Sequence, residues 1–198
     1  MDFVVKKGNV VNLKSACLVA GVFEGKGKQG ILAELDEALA GELHKAFRSG
    51  EFKGKSGQLL QLVPAIGLAA KRIIFVGLGP ETKADGETVR RAVGSALKKA
   101  KESRASDLAL VCDSFALRRT DLTERAQALA EGILLGDYQF DRYQTDAEAK
   151  SAVSPTVTTM LIPAAKDQES VTRGVDAARA ICRGVILARD LVNEPGNV

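Results

Sequence analysis

Short apolar runs alternate along the chain with longer segments in which apolar residues recur every three or four positions. The short runs are typical of buried strands and the longer period is typical of helices, so the pattern predicts an α/β fold with helices covering a sheet. The run Ile73-Ile74-Phe75-Val76 contains no polar residue, which indicates a central strand covered on both faces. We predict six strands, at about residues 3–6, 16–23, 59–63, 72–77, 108–112 and 157–162.

The helical period predicts four helices, of which two lie in the first half of the chain. The first covers residues 31–47, where Leu35, Leu39 and Leu43 would form a buried stripe. The second begins after Asp85, because this short side chain can accept hydrogen bonds from the free amides of a helix N-terminus. Both helices therefore have an apolar face available to cover the sheet.

The other two helices border the least regular part of the chain. The third covers residues 120–137, with Asp121 and Glu124 at the spacing of a capping box, and the fourth covers about 168–192. Between them, residues 138–155 mix charges with scattered apolar side chains, which predicts a surface loop. No internal repeat or change of composition divides the chain into two domains.

Composition places the chain among globular proteins. Its 198 residues are 45% hydrophobic and 27% charged, which suits a folded domain and excludes a disordered segment. No apolar run approaches the roughly 18 residues that span a bilayer, and no basic segment opens the chain, so we expect a soluble, cytoplasmic protein without a secretory signal. The net charge of +3 is too small to indicate nucleic-acid binding by itself.

Cysteine and histidine usage excludes several kinds of site. Cys17, Cys112 and Cys182 are odd in number and widely separated, which excludes a disulfide framework or a Cys-x-x-Cys metal site and predicts small core residues in a reducing compartment. His44 is the single histidine, so no second imidazole exists for a zinc triad. Because nothing in the sequence places His44 beside a cysteine, a cysteine nucleophile is not favoured either.

Two glycine-rich segments are candidates for phosphate binding. Residues 25–30 read G-x-G-x-x-G between a predicted strand and helix, where backbone amides can hold a pyrophosphate. The next strand ends at Pro64 and Ala65, where a dinucleotide-binding fold would place an acid, so a plain connection is favoured. Gly77 and Gly79 follow the most apolar strand, and a turn is favoured there because no lysine or hydroxyl stands at P-loop spacing.

Two groups of charged residues are weaker candidates. Asp146 and Glu148 form a carboxylate pair of the kind that holds divalent metals or moves protons. A basic surface could form from loop residues, but no aromatic residues are interleaved to stack nucleic-acid bases, so solvated loop charge is favoured. The basic residues concerned are Lys53, Lys55, Lys71, Arg72, Arg118 and Arg119.

Two segments carry a resemblance to a known family. One is Glu131-Gly132 with residues 136–143, Gly-Asp-Tyr-Gln-Phe-Asp-Arg-Tyr, and the other is residues 188–197, Ala-Arg-Asp-Leu-Val-Asn-Glu-Pro-Gly-Asn. Both resemble the leucyl (cytosol) aminopeptidase family. Supporting similarities follow the order of that family's N-terminal half and together extend over nearly the whole chain; they lie at residues 21–24, 52–55 and 76–79.

The resemblance implies a fold and a domain organisation. The implied fold is a macro-like three-layer α/β/α sandwich with a mixed six-stranded sheet. Residues 1–192 would form the N-terminal domain, including a long linker helix over about 168–192. Residues 193–198 would be the first residues of a catalytic domain that is otherwise missing from this sequence.

The resemblance also implies a function located elsewhere. Proteins of this family are hexameric exopeptidases of two domains, which remove N-terminal residues, preferably leucine, with two divalent metals such as Mn²⁺ or Zn²⁺. Their metal ligands and catalytic lysine and arginine belong to the C-terminal domain. The chain would therefore be an accessory domain for assembly or regulation, with no catalytic, cofactor-binding or metal-ligating residue and no activity alone. Its partners would be its own catalytic domain and further copies in a hexamer, without a membrane.

One segment partly matches the family's metal motif, Asn-Thr-Asp-Ala-Glu-Gly-Arg. Residues 144–150 contain Asp146 and Glu148 in the right order, but Ala149 and Lys150 replace the glycine and arginine. We therefore reject this match. Two alternative functions stay open: a macro-like fold could bind ADP-ribose through residues 25–30 or 77–79, and the loop lysines and arginines could bind DNA.

Overall fold

A mixed six-stranded sheet forms the middle layer of the molecule. The computed structural model describes residues 1–27, 29–63, 65–140 and 154–194. The strand order is β1-β6-β5-β2-β4-β3, and all neighbours are parallel except β3, which runs antiparallel to β4. Each of the six predicted strands is confirmed to within two residues at its ends. The strands are β1 Asp2–Lys7, β2 Cys17–Phe23, β3 Leu59–Leu62, β4 Ile73–Gly79, β5 Asp107–Val111 and β6 Val157–Ile162.

The central strands are covered on both faces. All seven residues of β2 and all seven of β4 are buried. Because successive side chains of a strand point to opposite faces, Leu18 and Ile73 belong to one hydrophobic core while Val19 and Ile74 belong to the other. The α/β/α sandwich and its mixed sheet are therefore confirmed.

Five α-helices among the described residues cover the two faces of the sheet. The predicted N-cap at Asp85 and the predicted capping box at Asp121 are confirmed, and Asp85 also forms a capping box with Thr88. Each carboxylate accepts a hydrogen bond from the backbone amide three residues later, at Thr88 and Glu124, over 2.8 Å. Short 3-10 turns follow β5 and β6. The helices are α1 Ile31–Ala38, α2 Glu42–Ser49, α3 Gly86–Glu102, α4 Leu122–Asp137 and α5 Gln168–Asn193.

The prediction of one continuous helix over residues 31–47 is wrong. The chain turns at Ala40 and Gly41, whose φ angles are 55° and 79°, values of the left-handed region that end a helix. Asp36 stabilises the turn, since its carbonyl accepts from the Gly41 amide and its carboxylate accepts from the His44 amide. The apolar spacing continues through the break and therefore could not reveal it.

The predicted loop over residues 138–155 falls mostly outside the described residues. Its described ends, residues 138–140 and 154–155, contain neither helix nor strand. None of the described helices combines the length and apolar character needed to cross a membrane.

Helices α3, α4 and α5 pack closely because glycines stand where their backbones meet. A Cβ atom at Gly132 of α4 would lie 2.7 Å from the carbonyl oxygen of Arg90 in α3, and one at Gly174 of α5 would collide with the carbonyl oxygen of Thr123. Arg90 also forms an ion pair with the buried carboxylate of Glu131, across the same contact. The glycines therefore set how closely these three helices pack.

Two glycine substitutions in α5 should have opposite effects on stability. Gly174→Ala is expected to lower the free energy of unfolding by about 1–3 kcal/mol, because the new methyl group is forced against α4. Gly184→Ala is expected to raise it by about 0.5–1 kcal/mol, because no described atom beyond its own stretch of helix lies within 4 Å of the new methyl group and alanine favours the helix. Urea denaturation of the 198-residue chain measures both, and a loss of stability in Gly184→Ala would contradict this account.

Candidate functional site

A cleft of about 420 Å³ lies at the carboxyl edge of the sheet. It is bounded by the segments that follow β2, β4 and β5 and by the start of α1. In α/β proteins with parallel strands, this edge is where ligands usually bind, and the volume is within the range of small-molecule sites. We call it the edge cleft; its polar lining residues are Lys26, Gln29, Glu34, Glu81, Asp113 and Ser114.

The glycine-rich segment lies where the sequence placed it, between β2 and α1. Lys28 lies outside the described residues. Gly30 precedes α1 at a φ of 56° without a side-chain cap, whereas Gly27 packs so closely on the Phe47 ring that a Cβ atom would collide with it. At least one of these glycines is therefore explained by packing and not by ligand binding.

The neighbouring strand excludes a dinucleotide-binding fold. Strand β3 runs antiparallel to β4 at the edge of the sheet, whereas a dinucleotide fold needs a parallel strand there to present its acid. The preference for a plain connection over residues 25–30 agrees with this topology.

Glu81 joins two loops across the mouth of the edge cleft. Its Oε2 lies 2.7 Å from Lys26 Nζ, on the loop after β2, and 2.9 Å from Arg118 Nε, on the segment after β5. The hydrogen bond from Lys26, aided by Arg118, lowers the pKa of the Glu81 carboxyl below its ordinary value. Both cations are therefore paired with an internal carboxylate, and we call this arrangement the Glu81 bridge.

The other polar groups of the edge cleft do not form a nucleophile and its base. The Ser114 hydroxyl donates to the carbonyl of Val111 over 2.7 Å and accepts from the amide of Gly21 over 2.9 Å, so it ties β2 to β5. Burial raises the pKa of the Asp113 carboxyl, partly offset by the nearby charge of Arg125. The lining thus contains three carboxyl groups against one lysine.

The second glycine pair forms a close backbone contact. Gly77 donates to the carbonyl of Gln58 and Gly79 donates to that of Gly54, each over 2.8 Å. A Cβ atom at Gly77 would collide with the carbonyl oxygen of Lys55. The amides that a phosphate would need are already used, which argues against a phosphate site. The predicted turn is wrong at these two positions, because Gly77 and Gly79 are the last part of strand β4 and serve a close backbone contact.

The cysteines are buried core residues, as predicted. Burial raises the pKa of the Cys17 and Cys112 thiols to about 12, so neither is a thiolate at neutral pH. Both belong to the core on the α3 side of the sheet, whereas His44 lies on α2 over the opposite face. The structure therefore separates the histidine from both thiols.

The basic loop residues do not form one surface. Lys71 and Arg72 precede β4, whereas Lys53 and Lys55 lie beside the glycines at its other end, about 20 Å away at the rise of a strand. Arg118 is engaged in the Glu81 bridge. This geometry gives no support to DNA binding, which stays an untested prediction.

No group of three potential metal ligands, whether His, Cys, Asp or Glu, is found among residues 1–27, 29–63, 65–140 and 154–194. Asp146 and Glu148 lie outside this part of the chain. The absence of metal-ligating and catalytic residues from the whole chain therefore stays a prediction.

The two segments that carry the family resemblance meet in space. The Tyr138 hydroxyl, on the segment after α4, donates to Asp190 Oδ1 over 2.8 Å and accepts from Asn193 Nδ2 over 3.3 Å, and the Arg189 guanidinium lies 5.5 Å from the ring centre. The sequence pattern distinguishes both segments but does not predict their contact. It does not predict the Glu81 bridge either, since no local pattern pairs Glu81 with residues 55 and 37 positions away.

The fold defines the class of protein as a macro-like α/β/α domain. Solved Oceanobacillus iheyensis macrodomains share this fold; one solved with ADP has a TM-score of 0.65 at 14% identity, over 90% of this chain and 92% of the macrodomain. A tomato leucine aminopeptidase mutant has a TM-score of 0.78 at 27% identity, and the similarity covers all of this chain and 39% of the tomato chain.

Within that class, the chain belongs to the cytosol aminopeptidase family and corresponds to its N-terminal domain. The family model described as "Cytosol aminopeptidase family, N-terminal domain" matches residues 19–147. A probable cytosol aminopeptidase of Syntrophotalea carbinolica is 37% identical over the full chain, and the cytosol aminopeptidase of Pseudomonas aeruginosa is 32% identical. The chain spans about 40% of the length of these relatives, 40% and 39% respectively. The resemblance noted in the sequence is thus confirmed.

The Glu81 bridge should make the free energy of unfolding depend on pH in the acid range. At neutral pH we expect the Glu81→Gln variant to be less stable than the parent, because Lys26 and Arg118 lose their counter-ion. Because the Glu81 pKa is lowered in the folded state, the bridge stabilises the fold at pH values above the ordinary glutamate pKa. This contribution to stability is lost as the pH falls through the lowered pKa of Glu81. The difference in unfolding free energy, measured in urea, should therefore shrink below about pH 4.3.

The exposed Glu51 provides the matched control for this experiment. Glu51→Gln changes the net charge equally without touching the Glu81 bridge, so we expect a smaller difference at neutral pH. An effect of Glu81→Gln that equals the control at every pH would contradict a stabilising role of the bridge.

Proposed function

We propose that this chain is the accessory domain of a metal-dependent aminopeptidase whose catalytic centre belongs to a second domain of the same polypeptide. The match to the family's N-terminal domain, within relatives about 2.5 times as long, carries this proposal. The parent protein would release N-terminal residues, preferably leucine, with two Mn²⁺ or Zn²⁺ ions, and would act as a hexamer in the cytoplasm. Residues 1–192 would be the accessory domain and residues 193–198 the first part of the catalytic domain.

The chemistry of the described residues supports this division of labour. Hydrolysis by two metals needs several oxygen or nitrogen ligands held by rigid elements around a shared position. Two of the polar groups of the edge cleft are instead held by contacts within the domain: Glu81 binds Lys26 and Arg118, and Ser114 bonds to the backbone. These contacts stabilise the domain and leave the chemistry to the second domain.

The test compares two proteins in hydrolysis of leucine-p-nitroanilide with added Mn²⁺ or Zn²⁺. The gene product that includes the coding sequence after Val198 is expected to hydrolyse the substrate and to lose this activity with a chelator. The 198-residue chain is expected to give no turnover above the rate without protein. Metal-dependent turnover by the 198-residue chain alone would contradict the proposal.

Binding of ADP-ribose is the alternative, and the edge cleft is where it would occur. The macro-like fold and the cleft volume favour it, but Glu34, Glu81 and Asp113 line the same cleft. A diphosphate there would face these carboxyl groups and would compete with Glu81 for Lys26 and Arg118. The balance of charge therefore favours the accessory role.

Calorimetric titration of the 198-residue chain with ADP-ribose decides between the two functions. We expect no saturable heat at millimolar ligand. A saturable signal that is altered by Gly30→Val, at the start of α1, would instead establish the nucleotide-binding function.

A further inference from the structure

The second half of α5 carries an apolar stripe that faces away from the domain. Four of its large side chains are well exposed: Ile181 by 49%, Leu187 by 60%, Leu191 by 68% and Val192 by 83%. Monomeric soluble domains seldom leave such a series of neighbouring apolar side chains in water. We call it the outer stripe; its members are Ile181, Gly184, Leu187, Ala188, Leu191 and Val192.

The outer stripe is separate from the face by which α5 packs on the domain. Residues of the packed face, from Val171 to Cys182, are buried, and after Cys182 no residue of α5 is. At about 100° per residue, the outer stripe covers roughly 140° of the helix and is centred roughly 125° from the packed face. No charged residue between positions 181 and 192 falls within that arc, so the stripe is uniformly apolar.

A glycine at the centre of the outer stripe indicates that another backbone approaches there. Each other glycine of the described helices contacts a neighbouring helix: Gly86, Gly94, Gly132 and Gly136 at the α3–α4 contact and Gly174 at the α4–α5 contact. Gly184 differs, since no described atom beyond its chain neighbours and the nearby backbone of its own helix lies within 4 Å of the position of its Cβ. A glycine in mid-helix lowers helix stability by about 1 kcal/mol, so it needs a reason that the described contacts do not provide.

We propose that the outer stripe is the surface on which the following domain of the same polypeptide docks, with its backbone closest at Gly184. This inference rests on the proposed function, which supplies that domain. The occupant would be an apolar surface of the second domain, most simply a helix with small residues facing Gly184. Helices meet in this way at Gly132 and Gly174 within the described chain.

Two observations favour this occupant over a second copy of the chain. The outer stripe occupies the end of α5 that leads towards the remaining 60% of the relatives' length, so a linked domain has a high effective concentration there. In addition, Tyr138 holds this end of the helix through Asp190 and Asn193, which keeps the stripe in a fixed direction. A linked partner gains affinity from a surface that is already oriented.

The test measures amide hydrogen exchange of peptides that cover residues 181–192. Exchange is compared between the 198-residue chain and the gene product that includes the following coding sequence. We expect exchange to be at least tenfold slower in the longer protein, because docking covers the outer stripe and suppresses fraying of the end of α5. Equal exchange in the two proteins would overturn the proposal.

Two variants of the longer protein make the test specific. Gly184→Leu should restore the faster exchange of the short chain, because the added side chain keeps the docked backbone away. The same substitution should leave the thermal midpoint of the 198-residue chain unchanged or higher, since the space is open. Ile66→Glu, at a side chain that is 77% exposed outside the stripe, is the matched control and should retain slow exchange.

The outcomes distinguish this inference from the proposed function. Hydrolysis of leucine-p-nitroanilide by the longer protein together with unchanged exchange at residues 181–192 would sustain the proposed function and overturn the docking surface. Slow exchange at residues 181–192 in a longer protein that does not hydrolyse the substrate would sustain the docking surface and overturn the proposed function. Sedimentation measurements test whether a second copy of the chain occupies the outer stripe instead. Slow exchange that depends on protein concentration, together with a dimer formed through the outer stripe, would also overturn the proposal.

Discussion

The arrangement of this domain depends on two adjacent strands that have no exposed residue. Strands β2 and β4 are buried along their full length on both faces, so each face must be covered by helices. Helices α1 and α2 cover one face, and α3, α4 and α5 cover the other. Since three helices share one side, they must pack closely on each other as well as on the sheet, and the glycines at positions 132 and 174 make this possible.

The same sheet positions the edge cleft at its carboxyl edge, but Glu81 and Ser114 in that cleft are bonded to other groups of the domain. The Glu81 carboxylate forms ion pairs with both Lys26 and Arg118, and the Ser114 hydroxyl joins β2 and β5. A macro-like fold therefore does not imply a macrodomain's ligand, because the loops decide the charge of the cleft while the sheet decides only its place. This view agrees with membership in a family whose chains extend well beyond this domain.

Helix α5 connects the packing of the domain with its proposed role. Up to Cys182 it contributes to the core beside α4, and beyond that residue it has no buried residue and carries exposed apolar side chains on its outer face. One helix thus has two apolar faces along its length, of which the described chain covers only one. Under the proposed docking, α5 would contribute to two cores in succession, which would suit it to transmit the position of one domain to the next.

The sequence by itself determined the six strands, the N-cap at Asp85, the capping box at Asp121 and the family, because each of these depends on residues close together in the chain. Tertiary structure decided the features that depend on distant residues: the direction of β3, the Glu81 bridge and the contact of Tyr138 with Asp190. It also decided the break at Gly41, where the apolar period continues although the helix ends. Periodicity records which side of the chain is buried, whereas the pairing of loops and the course of the backbone depend on contacts that only the folded chain creates.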